Sequence, residues 1–290
     1  MSTPTPTLST ANHDRDSAGM TYVYPVISRR AGGVSVGINL NPNNACNWRC
    51  IYCQVPNLSR GGPPAIDLAL LEEELRRMLA DIVDGDFMAR VPEPMRRLND
   101  IALSGNGEPT SAPEFPAAVE LIGRVLVDFK LADFGLSGKI KLVLISNGSL
   151  AHKAYVQAGL RKMAALNGEV WFKFDRATRA GLHLANDTET DPERHYQRLK
   201  SVANLCPTWM QTCMFALDGV APEAAEIDAW LALLTRARAE NLPLRGVLLY
   251  GLARPSLQAE APRLSRLSED WMRALAAQVE ALGWTVKVSV

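Results

Sequence analysis

The chain has 290 residues, with 31 basic and 31 acidic side chains, a formal net charge of zero and 47% apolar residues. That balance predicts a well-buried core, and it offers no electrostatic footprint for nucleic acid or an anionic membrane. No apolar run approaches the roughly 20 residues of a membrane span.

The first twenty residues, MSTPTPTLSTANHDRDSAGM, are rich in Pro, Thr and Ser and lack the basic start and apolar centre of a signal peptide. They read as a disordered tail over 1–20, ahead of one domain over 21–290. Of five cysteines, three cluster and two lie far off, which is not the spacing of a secreted disulfide framework. The expected setting is the reducing cytoplasm, with no membrane association.

From about residue 35 onward, short β-rich runs alternate with longer amphipathic stretches. The runs are SVGINL (35–40), DIALSG (100–105), KLVLIS (141–146), VWFKFD (170–175), MQTCMFAL (210–217) and LRGVLLYG (244–251), and TVKVSV (285–290) closes the chain. Helical spacing of apolar positions predicts helices over 68–83, 222–240 and 268–283. The second has acidic residues early and basic ones late, as the helix dipole favours; the third opens at Ser268 and stops at a glycine. Apolar strands alternating with helices imply a parallel sheet covered by helices. Six such units predict an α/β fold: a partial (β/α)6 barrel with parallel strands and outer helices, short of the eight units of a full barrel.

Cys46, Cys50 and Cys53 are spaced C-x3-C-x2-C in the loop after the first of these runs, where a parallel barrel presents ligands at its C-terminal mouth. Zinc would need a fourth ligand, and Cys206 or Cys213 could arrive through the fold. A disulfide would leave one thiol over. An iron–sulfur cluster suits three soft thiolates, and leaves one iron open to an external molecule. Cys206 and Cys213 otherwise read as buried free thiols, and His183 and His195 as surface residues.

C-x3-C-x2-C with an aromatic, Tyr52, before the last cysteine resembles the signature of the radical S-adenosylmethionine enzymes. The resemblance implies a [4Fe-4S] cluster on the three cysteines, whose open iron chelates the amino and carboxylate groups of S-adenosylmethionine. Reductive cleavage then yields a 5′-deoxyadenosyl radical that abstracts hydrogen from substrate, so a flavodoxin- or ferredoxin-type electron donor is also implied. SGNGEPT (104–110) looks like that superfamily's G-G-E-P segment: Gly107 allows close approach, Glu108 would accept from the methionyl ammonium and Pro109 stiffens the turn. Ser146 and Asn147 resemble positions that contact the cofactor's ribose or carboxylate, although Asn-Gly is also a favoured turn pair. Tyr52 is expected near the adenine.

Lys173 and Asp175 are two apart and point to one face of their strand. They read as cofactor or substrate contacts, or as a structural ion pair; Lys173 and Tyr250 are the catalytic candidates. Tyr250 and Arg254 could reach the mouth, and Tyr250 reads equally as a core aromatic. Together with residues 28–57, the segments SGNGEPT, SNGSL, FKFDRAT and YGLARPS are similar to a wyosine-synthase-like group of radical S-adenosylmethionine proteins. The true wyosine synthases modify transfer RNA and carry a second cysteine triplet ahead of the first. This chain has no cysteine before Cys46. The expectation is therefore a radical S-adenosylmethionine enzyme of unassigned substrate. The alternatives are a transfer-RNA-modifying enzyme and a non-catalytic zinc or iron–sulfur protein.

Overall fold

Parallel strands need a crossover of a dozen or more residues between them, and the stretches separating the apolar runs are long enough to be helices. The computed structural model describes residues 19–28, 32–131 and 140–290. Eight strands form one sheet: β1 Val23–Ser28, β2 Gly33–Ile38, β3 Leu98–Leu103, β4 Lys141–Ser146, β5 Glu169–Lys173, β6 Thr208–Cys213, β7 Leu244–Tyr250 and β8 Val286–Ser289. Their order in the sheet is their order in the chain. β1 runs antiparallel to β2, and every later pairing is parallel.

The crossovers are α1 Leu68–Val83, α2 Phe115–Asp128, α3 Ala154–Ala165, α4 Arg179–Asn186 with α5 Pro192–Ala203, α6 Ala224–Ala239 and α7 Glu269–Ala281. β2 to β7 are thus each followed by a helical crossover, giving the six expected β/α units. β1 and β8 are the two edges of the sheet, so the barrel stays open. β1 is an addition to the expected set. Its start is fastened by the buried Glu74 of α1, whose carboxylate accepts from the backbone N–H groups of Thr21, Tyr22 and Val23.

Helix starts follow local chemistry. Asp67 caps α1 by accepting from Ala69 and Leu70, and Ser268 caps α7 by accepting from Trp271. Alternation along the strands separates two environments. Val34, Val36 and Ile38 of β2, Ile101 and Leu103 of β3, and Val170 and Phe172 of β5 lie in the main core beneath the helices. The intervening positions, Ser35, Asp100, Lys173 and Gln211 among them, line a cavity inside the open barrel.

Of the tail expected over 1–20, residues 1–18 lie outside the described residues. Among the described residues no helix is long and apolar enough to cross a membrane.

Candidate functional site

The loop after β2 carries Cys46, Cys50 and Cys53 across the C-terminal ends of the strands. It is zipped to the end of α4, where Arg49 N–H donates to Asn186 and Ile51 N–H to Ala185. On the other side, Ser256 donates to the carbonyls of Ile51 and Cys53, and Gln258 to those of Cys53 and Val55. The Arg49 guanidinium pairs with Asp187 at 2.9 Å and Glu260 at 2.6 Å. These partners leave the loop little freedom.

The three thiols are free and half-buried. Burial pushes Cys46 up to about 12, with the neighbouring Cys50, Glu108 and Cys53 adding to the effect. Burial likewise pushes Cys50 up to about 11, although Lys173 pulls the other way. The Cys50 sulfur accepts from the Asn186 amide at 3.2 Å. Among the described residues no three His, Cys, Asp or Glu side chains converge on a single-ion site. A multi-iron cluster makes no such demand, because each thiolate binds its own iron. Three thiolates on one loop match the donor type of such a cluster.

Glu108 follows β3 and is 2% exposed. Its Oε1 accepts from Thr110 N–H at 3.1 Å, from the Thr110 hydroxyl at 2.6 Å and from Ser146 at 2.8 Å. Oε2 accepts from the Asn147 N–H at 2.7 Å. Burial raises the Glu108 carboxyl above its ordinary value, and these donors oppose the shift. Oε1 is saturated, whereas Oε2 keeps acceptor capacity. Pro109 opens a short turn, Pro109–Ser111. Gly107 lies so close to the loop that a Cβ there would press into the Ala45 carbonyl oxygen and the Asn41 amide. After β4, Gly148 sits at φ +65° against the Phe172 ring, which closes the Ser-Asn-Gly turn tightly. The Asn147 amide reaches back to Asn47 at 2.9 Å, and Asn47 donates to Ser149 at 2.7 Å. Cys46, Glu108, Ser146 and Asn147 are therefore brought together.

Cys50, Tyr52, Lys173, Asp175 and Tyr250 form the other half. The Asp175 carboxylate accepts from the Tyr52 hydroxyl, from Asn186 at 2.7 Å and from the Cys213 N–H at 2.8 Å. Lys173 makes no direct ion pair with it. Its ammonium instead donates to the Tyr250 hydroxyl at 3.3 Å and lies 4.7 Å from the Tyr52 ring centroid. Burial works against the Lys173 charge, but Tyr250 and Asp175 outweigh it and hold the ammonium protonated well above the ordinary range. Arg254 lines the cavity mouth beside Gln54.

Two expectations outside the site divide. Cys206 and Cys213 are buried free thiols, as expected. His183 is exposed and meets Glu189. His195, expected at the surface, is instead fully buried. It fills the gap between Trp48 of the cysteine loop and Phe172 and Phe174, and its Nε2 bonds the Lys173 carbonyl at 2.9 Å. Asn47, Asn186, Ser256 and Gln258 were not among the expected site residues; each is a polar loop or helix-end residue with no motif of its own.

No family model matches the chain. A curated relative, the GTPase Obg of Brachyspira hyodysenteriae (strain ATCC 49526 / WA1), is 26% identical over 140 residues, 47% of this chain but 17% of that protein. Solved structures match far more of the chain. Streptococcus suis SuiB is 10% identical over 90% of this chain, with a TM-score of 0.56. SuiB bound to S-adenosylmethionine is 11% identical over 89% of it, with a TM-score of 0.53. The chain spans 50% and 47% of those two chains. A radical SAM methyltransferase from Sphaerobacter thermophilus is 15% identical, covers 92% of this chain and 68% of its own, and has a TM-score of 0.55. The open six-unit barrel is thus similar in fold to these solved structures, one of them a radical SAM methyltransferase.

Proposed function

We propose that the protein is a radical S-adenosylmethionine enzyme, in which Cys46, Cys50 and Cys53 hold one [4Fe-4S] cluster. The observation that carries this reading is the placement of three neighbouring thiols on one clamped loop at the mouth of that barrel, with Cys46 close to Glu108. When bound, the cluster and S-adenosylmethionine would supply a 5′-deoxyadenosyl radical for hydrogen abstraction.

The chain's own residues prepare that site. Ser146, Asn147 and Thr110 fix the Glu108 carboxylate, and its Oε2 retains room for an ammonium donor such as that of S-adenosylmethionine. Gly107 lets the turn after β3 approach the loop, and Pro109 starts the turn that follows. Tyr52 closes one wall of the barrel cavity and shields Asp175 from water. A flavodoxin- or ferredoxin-type donor and a cytoplasmic setting complete the proposal. A transfer-RNA substrate has no support from the neutral charge or from a second cysteine triplet.

Anaerobic reconstitution should yield about four irons per chain, and reduction should release 5′-deoxyadenosine from S-adenosylmethionine. Cys50→Ser should abolish both. Stoichiometric zinc without cofactor cleavage would sink the proposal and favour the non-catalytic alternative.

A further inference from the structure

Below the cysteine loop, the barrel encloses a cavity of about 470 Å³, within the size range of small-molecule sites. Lys173 of β5 and Gln211 of β6 stand side by side on its wall, because the two residues are register partners in the parallel pair. The Lys173 ammonium makes one hydrogen bond, to the Tyr250 hydroxyl at 3.3 Å, and rests against the Tyr52 ring. Among the described residues, no carboxylate lies within ion-pair distance of it. Asp175, the acid closest in sequence, is already taken by Tyr52, Asn186 and Cys213. Gln211 is 1% exposed and its Oε1 has no hydrogen-bond partner. A buried acceptor without a donor is uncommon in folded proteins.

The pairing has a chemical meaning. A compact ammonium against aromatic walls selects an anionic group. An unfilled amide oxygen on the adjacent strand, about 5 Å away, calls for an N–H or O–H donor close to that anion. Resting on the enzymatic reading above, we propose that Lys173 and Gln211 bind the substrate as an amino or hydroxy acid. Lys173 holds the carboxylate, and Gln211 accepts from the neighbouring amino or hydroxyl group. The carboxylate of S-adenosylmethionine is a separate group, expected at the cysteine loop.

The test uses anaerobically purified, cluster-loaded protein with S-adenosylmethionine present in every sample. Saturation-transfer NMR is read for L-lactate, L-alanine and propionate, for phenyllactate, phenylalanine and phenylpropionate, and for the methyl ester of each. Hydroxy and amino acids should bind about tenfold or more tightly than their esters, as expected for a charge-assisted contact. Lys173→Met should remove that preference and Lys173→Arg restore part of it. Gln211→Leu should weaken lactate and alanine towards propionate and leave propionate unchanged.

Equal binding of acids and esters to the wild-type protein would overturn the proposal without any variant, whether or not Lys173→Met folds. So would the absence of binding by every acid at millimolar concentration, or tighter binding of inorganic phosphate. Release of 5′-deoxyadenosine on reduction is measured in the same wild-type samples. If it fails, the enzymatic reading falls; if it proceeds while acids and esters bind alike, the carboxylate anchor alone falls.

Discussion

Replacing His195 with glutamine should flatten part of the protein's acid sensitivity. His195 is fully buried, with the rings of Phe174 and Phe172 centred 4.5 and 4.9 Å away and Trp48 at 5.4 Å. Its Nε2 donates to the Lys173 carbonyl, and Nδ1 faces no acceptor, so a second proton would arrive in an apolar pocket. Burial therefore lowers the imidazole from 6.5 to about 4; the Lys173 carbonyl opposes the shift and Arg198 adds to it. Above pH 6.5 neither the folded nor the unfolded chain holds the second proton, and the neutral ring contributes its full stability. Between 6.5 and about 4 the unfolded chain takes up the proton first, so stability falls as pH falls. That interval, at about 1.4 kcal/mol per pH unit, is worth about 3 kcal/mol. Urea unfolding of wild type and His195→Gln, repeated from about pH 7 to about pH 4, isolates it, because the other titrating groups are common to both. The wild-type advantage should shrink by about 3 kcal/mol across that range. Parallel stability curves would refute the assignment of the acid sensitivity to this ring.

Gly107→Ala should lower stability by about 1 to 3 kcal/mol in urea unfolding and reduce iron bound on reconstitution, since the new methyl meets the Ala45 carbonyl oxygen and the hydrogen-bonded Asn41 amide. Glu108→Gln places an amide where a carboxylate receives four donors, so at least one donor loses its acceptor. The expected loss is about 2 to 3 kcal/mol by the same measurement. In the metal-free chain, Cys46 and Cys50, held up near 12 and 11, should react with iodoacetamide at pH 8 on the order of a hundredfold more slowly than an exposed cysteine. Peptide mapping by mass spectrometry reads this directly, and equal labelling would remove the argument that burial protects them.

Much of the fold was legible where local signals and tertiary demands agree. The helix Leu68–Val83 and the strand Lys141–Ser146 have the bounds their patterns predict, the first because Asp67 caps an amphipathic run, the second because a fully covered parallel strand is nearly continuously apolar. β1 escaped because Pro25 interrupts its run; proline is tolerated only where the strand is an edge, and edge status is a property of the sheet. His195 escaped for a similar reason. PERHYQRLK is polar enough to read as a solvated helix face, and the two phenylalanines that bury His195 lie on β5 and one residue past its end. The cysteine triplet was legible because its chemistry is contained in eight consecutive positions. Asn186 was not, since its contacts to Cys50 and Asp175 depend on where α4 ends.

The site also divides by how its polar groups are satisfied. Asp175 receives three donors from the chain itself and Glu108 four. Those of Glu108 join the ends of β3 and β4, those of Asp175 join the ends of β5 and β6 to Tyr52 of the cysteine loop, and removing either acid leaves buried donors unfilled. Such residues are bound to the fold whatever else they touch. Lys173 and Gln211 differ: the first makes a single hydrogen bond, and the second leaves its oxygen without one. Interaction capacity that the fold leaves unused remains available to a ligand, and only differential contacts of that kind discriminate one substrate from another. Under the proposed function, the acids at the strand ends would set where the chemistry happens, while the cavity below them, through Lys173 and Gln211, would set which molecule is held there.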